Sequence, residues 1–108
     1  MAYYLMQVSY TPEGSAALIK KPQNREEAVR KFIEKLGGSL EGFWFAFGDY
    51  DVVFICQIPD NITAAAFSMA VSASGAVKAF KTTPLMTAEE GMAAMKKATK
   101  SGYKPPAK

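Results

Sequence analysis

The sequence predicts an α+β domain in which a four-stranded antiparallel sheet carries helices on one face, with an extra helix added at the C-terminus. Three observations predict it. The stretch from Gly42 to Cys56 holds two strand-like runs around a Gly-Asp turn, and both runs are apolar on both faces. Two capped amphipathic helices lie one on each side of that hairpin in the chain. A further strand-like run closes the pattern at each end, Tyr3–Tyr10 and Val77–Leu85. The order β-α-β-β-α-β is the split βαβ, or ferredoxin-like, arrangement. Right-handed crossovers place both helices on the same face of the sheet.

Each element has a local reason. In Tyr3–Tyr10, Tyr4, Met6, Val8 and Tyr10 share one face, with Leu5, Gln7 and Ser9 opposite. Thr11-Pro12-Glu13-Gly14 reads as the turn that ends this strand, and Ser15–Ile19 as a short helical turn. Asn24 is a good N-cap, and Glu27 stands where a capping box needs it. Ala28, Val29, Phe32, Ile33 and Leu36 then form an apolar stripe at helical spacing. Gly37-Gly38 ends that helix, because glycine enters the left-handed conformation without a Cβ clash.

The hairpin spans about Ser39 to Ile58. Phe43, Phe45 and Phe47 fall on one face of its first strand, Trp44 and Ala46 on the other. Gly48 is expected at positive φ in the turn. Pro59-Asp60-Asn61 opens an alanine-rich helix from Ile62 to about Ala73, which Ser74-Gly75 closes. Val77–Leu85 reads as an edge strand, since Pro84 lacks a ladder donor. Thr87-Ala88-Glu89-Glu90 is a second capping box, opening a helix from Ala88 to about Thr99. Residues 1–100 thus form one domain, and 101–108 a flexible basic tail.

A strand that is apolar on both faces is normally covered on both. The chain's own helices cover one. The other is read as a subunit interface, giving a homodimer or larger assembly, with a small-ligand cleft at that sheet face.

Composition narrows the chemistry. Among 108 residues there is no histidine and one cysteine, Cys56, which lies in an apolar run and reads as a buried thiol. A zinc site then has no ligand set, and a Ser-His-Asp or Cys-His arrangement is impossible. No glycine-rich phosphate loop opens a helix. The expectation is no metal, no tightly bound redox cofactor and no assigned catalytic residue. The net charge of +3 does not mark a nucleic-acid binder. Lys96, Lys97, Lys100, Lys104 and Lys108 read as a solvated tail. The start of the chain lacks a signal segment and no run is long enough to span a bilayer, so a cytoplasmic protein is expected.

An ordered set of short motifs resembles the GYD domain family, small bacterial and archaeal proteins of largely unassigned function. It comprises Ser9-Tyr10-Thr11, Glu34-Lys35-Leu36-Gly37-Gly38, Gly42-Phe43, and Gly48-x-Tyr50-Asp51 followed by Val52-Val53. Pro59-Asp60, Ser74-Gly75, and Thr82-Thr83 before Met86-Thr87 complete it. The resemblance implies a ferredoxin-like subunit of the dimeric α/β-barrel type. It implies no reaction.

Tyr10, Trp44, Tyr50 and Asp51 are the candidate ligand-binding residues, with Asp51 the nominee for a base. Turn chemistry is the favoured account of Gly48-Asp49-Tyr50-Asp51, and core or interface packing that of the aromatics. Arg25, Lys20 and Lys21 flank a loop and could meet an anion. Two functions compete. One is a homo-oligomeric binding or interaction module. The other is a cofactor-independent enzyme, an oxygenase or isomerase, acting on a small aromatic or apolar substrate. The expected ligand is small and largely apolar or aromatic, with neither membrane nor nucleic acid as partner.

Overall fold

The computed structural model describes residues 1–106. The elements are β1 (Ala2–Tyr10), α1 (Pro12–Lys20), α2 (Arg25–Lys35), β2 (Ser39–Phe45), β3 (Val52–Ile58), α3 (Asn61–Ala73), β4 (Val77–Leu85) and α4 (Ala88–Thr99). The four strands form one antiparallel sheet in the order β2-β3-β1-β4. That is the ferredoxin-like order expected from the sequence, with β1 and β3 adjacent at its centre. α2 packs against β2, and α3 against β3 and β4.

Strand alternation builds the core. Tyr4, Met6 and Val8 of β1 meet Val52, Phe54, Cys56 and Ile58 of β3 on the helix face, and all are buried. Ile33 of α2 and Ala64 and Phe67 of α3 close over them. Phe67 stacks on Phe32 at 5.1 Å between ring centroids, so the two helices are joined by aromatics above the sheet. The Tyr4 hydroxyl donates to Asn61 Oδ1 at 2.6 Å, tying the central strand to the start of α3.

Three caps form where the residues imply them. Asn24 Oδ1 accepts from the Glu27 amide, Asp60 Oδ1 from the Thr63 amide, and Thr87 Oγ1 from the Glu90 amide. At Thr87 the Glu90 carboxylate returns the bond, completing the box. Asn24 makes only the forward half. Gly37 takes φ 88° as α2 ends.

Three expectations are corrected. The segment read as turn plus helical turn is one helix, α1, starting at Pro12. Thr11 caps it by accepting from the Gly14 amide at 3.0 Å, and proline is well suited to a first helical position, where its missing N–H costs nothing. Second, β2 stops at Phe45, so Phe47 lies outside the strand and is fully exposed. Third, Gly48 is not among the glycines at positive φ. The link from β2 to β3 runs over residues 46–51, too long to need the tight hairpin turn that demands that conformation. A Cβ at Gly48 would touch nothing among the described residues, so Gly48→Ala is expected to be tolerated.

The face away from the helices carries Trp44 opposite Val53, Leu5 opposite Ile55 and Thr83, and Tyr3 opposite Leu85. Its side chains Tyr3, Leu5, Val53, Ile55 and Leu85 are only half-buried, unlike those on the helix face. Trp44 is 56% exposed, and its indole ring folds back over Gly42, filling the space a side chain would take.

α4 stands apart. It has no buried residue, and Met92 and Met95 are 58% and 70% exposed. The radius of gyration is 17.3 Å, against about 13 Å for a compact chain of this length. The methionines therefore do not pack α4 onto its own body. Residues 101–106 form no regular element and are exposed, and the last two residues of the expected tail lie outside the described residues. No helix is long and apolar enough to cross a membrane among the described residues.

Cys56 is fully buried. Burial, with a smaller push from the Glu41 carboxylate, raises its thiol to about 11. The fold favours the neutral thiol, so this stabilisation is complete below the ordinary value of 9.0 and is lost as pH rises through about 11. Alkaline destabilisation on the order of 2 kcal/mol is expected from this group. Denaturant titrations at about pH 8 and about pH 10.5 check it, because Cys56→Ala should show a correspondingly smaller pH dependence than wild type.

Candidate functional site

A cavity of about 360 Å³ lies between the helix face of the sheet and helices α2 and α3. Its walls are aromatic and aliphatic. Phe32 comes from α2, Phe67 and Val71 from α3, and Phe43, Phe54 and Phe80 from the sheet. Alternation explains the strand contributions: Phe43 pairs with Phe54, and Phe80 with Val8, on the same face. The Phe43 and Phe54 rings stack at 5.9 Å, and Phe67 meets Phe80 at 5.9 Å.

Few polar side chains reach the lining. They are Tyr10 at the end of β1, Arg25 at the first turn of α2, and Ser74 after α3. Ser74 is occupied, donating to the Val71 carbonyl and accepting from the Ala76 amide. Tyr10 and Arg25 are half-buried neighbours. Burial raises the Tyr10 hydroxyl above its ordinary value; the Arg25 guanidinium opposes this, and the Asp51 carboxylate adds to it more weakly. The hydroxyl therefore stays protonated across the neutral range and remains a donor.

The structure separates the four candidates named from the sequence. Tyr10 lines the cavity, while Trp44, Tyr50 and Asp51 do not. Trp44 projects from the opposite face of the sheet. Tyr50 is half-buried in the loop between β2 and β3.

Asp51 has a structural task. A register shift between Ser9 and Tyr10 breaks the β1–β4 ladder, and Asp51 Oδ2 accepts the Tyr10 amide there at 2.8 Å. The Asp51 amide donates to the Val8 carbonyl at 2.8 Å, and the Ser9 hydroxyl donates to the Asp49 carbonyl at 2.7 Å. These bonds hold the β2–β3 loop against the end of β1 and place Tyr10 at the cavity. Asp51→Ala leaves the Tyr10 amide without that acceptor, and a stability loss of about 1–3 kcal/mol is expected. Thermal unfolding of the variant beside Asp51→Asn, which retains an acceptor oxygen, checks it.

Phe67 is the wall residue that sequence reasoning did not single out. Its signal was there: it is the one aromatic in an alanine-rich helix, with Val71 one turn later. No group of three His, Cys, Asp or Glu side chains is placed to hold a metal among the described residues.

A βαββαβ sheet with one covered face, one open face and an aromatic cavity beneath its helices defines a small ferredoxin-like α+β domain. The chain belongs to the GYD domain family, whose model matches residues 4–95. The Gly48, Tyr50 and Asp51 of that motif sit in the loop held to β1. No curated protein matches the chain.

Proposed function

We propose that this protein is a homo-oligomeric binding module for a small, largely apolar ligand. The observation that carries the reading is the aromatic cavity with polar groups confined to Tyr10, Arg25 and Ser74. Cavities of this size, mostly apolar with a few convergent polar groups, are the usual form of small-ligand sites. An enzymatic role would draw its base from Asp51, which instead braces the Tyr10 backbone away from the lining. The test is a thermal-shift screen of small aromatic and aliphatic compounds. Hits should raise the melting temperature of wild type and do so less in Val71→Phe, whose ring intrudes into the cavity. Hits that act equally on both proteins would exclude the site.

The copies join through the open sheet face. Leu5, Val53, Ile55, Leu85 and Trp44 give that face an apolar surface, and leaving such side chains in water forgoes about 1.5–3 kcal/mol for each large one. α4 then finds its cover on the partner copy, since a lone helix of 12 residues is marginal in water. Light scattering at micromolar concentration should give a dimer or larger species. Val53→Lys on the open face should dissociate it, and a monomeric wild type would refute the assembly.

A further inference from the structure

The cavity is apolar, yet a cation stands at it. Arg25 lines the space, is half-buried, and enters no ion pair among the described residues. Among the described residues the one ion pair on α2 is Arg30 with Glu26. The only side-chain bond that Arg25 donates among the described residues runs from Nη1 to the neutral Gln23 Oε1, at 2.9 Å. The stem of Arg25 is covered while its head reaches solvent, and no carboxylate of the described residues pairs with it beside the cavity. Here the neighbouring group is the Tyr10 hydroxyl.

The nearby acid does not fill that role. Asp51 has Oδ2 engaged by the Tyr10 amide, and its effect on the Tyr10 hydroxyl is weaker than that of Arg25. At the Tyr10 hydroxyl the charge of Arg25 outweighs that of Asp51. Deeper in the cavity the surroundings become hydrocarbon, with Phe43, Phe54, Phe67 and Phe80 and no charged side chain.

We infer that the cavity takes an amphiphilic monocarboxylate, its carboxylate held by Arg25 and the Tyr10 hydroxyl and its apolar body among the phenylalanines. This rests on the small-ligand reading above and adds the class of ligand. One guanidinium and one hydroxyl suit a single planar carboxylate, which Arg engages through its fork. A phosphate dianion would call for more donors than these two groups supply.

The experiment titrates the full chain with octanoate and with 1-octanol, matched in length and differing at the head, followed by calorimetry. Wild type should bind octanoate about tenfold tighter than 1-octanol, the value of a charge-assisted hydrogen bond. Arg25→Met should bring octanoate down to the affinity of 1-octanol while leaving 1-octanol unchanged, which also shows that the cavity is intact. Tyr10→Phe should weaken octanoate by about fivefold. Equal binding of both probes by wild type would overturn the carboxylate assignment and leave the cavity reading standing. A preference for octanoate that survives Arg25→Met would also overturn it, since the head would then lie elsewhere. Binding of neither probe would overturn the small-ligand reading and the inference with it.

Discussion

Phe67→Ala is expected to lower stability by about 4 kcal/mol. α3 runs from Asn61 to Ala73, and only Ala64 and Phe67 of it are buried. An alanine contributes little hydrophobic area, so the ring of Phe67 is what holds this helix to the sheet. It lies 5.1 Å from Phe32, 6.0 Å from Phe54 and 5.9 Å from Phe80, measured between ring centroids. Removing it takes away three aromatic contacts and enlarges a cavity that already lies beside it. Large-to-small changes cost most where the surroundings cannot collapse, and rings fixed by separate strands and a second helix cannot readily follow. A loss of that size is a large fraction of the 5–15 kcal/mol typical of a whole domain. The measurement is a denaturant titration beside Ile62→Ala, an exposed position on the same helix expected to stay within about 0.5 kcal/mol of wild type. A loss below about 1 kcal/mol for Phe67→Ala would mean that α3 is held by something else.

The second large effect comes from adding one methyl. At Gly38 a Cβ would fall well inside contact distance of the Gln57 carbonyl oxygen and 3.1 Å from Ile33 Cγ2. Neither neighbour can yield cheaply. Gln57 belongs to β3, paired on both sides, and Ile33 is fully buried in the core. Gly38→Ala must therefore move the junction between α2 and β2, and a loss of about 2–3 kcal/mol is expected. Gly48→Ala, where a Cβ meets nothing, should change stability by less than about 0.5 kcal/mol. Gly42→Ala is a different case, because its obstacle is the Trp44 side-chain ring and not backbone. That variant should move the tryptophan emission more than the unfolding midpoint. Equal stability of the Gly38 and Gly48 variants in a denaturant titration would refute the close approach at Gly38.

Whatever depends on neighbours in the chain was legible from the residues alone. Asn24, Asp60 and Thr87 cap helices because their side-chain oxygens reach amides three residues on, a distance set by covalent geometry. Alternation grouped Tyr4, Met6 and Val8 on one face of β1 and Val52, Phe54 and Cys56 on one face of β3, without saying which face the helices would cover, and the order of elements then left few topologies. The absence of histidine bounded the chemistry in the same direct way. α1 was missed at its start because Pro12 suits both a turn and a first helical position. The choice went to the helix where Thr11 could cap it and also donate its own amide to Ala76 of a distant segment.

What only the tertiary structure decided are the relations between residues far apart in sequence. Asp51 looked like a turn residue or a base, and its carboxylate is spent on the Tyr10 amide at the irregular end of β1. Tyr10 and Trp44, both aromatic strand residues, were grouped by type and parted by the sheet, one into the cavity and one onto the open face. Arg25 and Tyr10, fifteen residues apart in the chain, become neighbours only in the folded structure. A sequence specifies local hydrogen bonds and the polarity of each face through short-range sterics and burial. Which side chains meet across a sheet, and what volume they leave empty between them, is set by how whole elements pack, and no short window of residues contains that information.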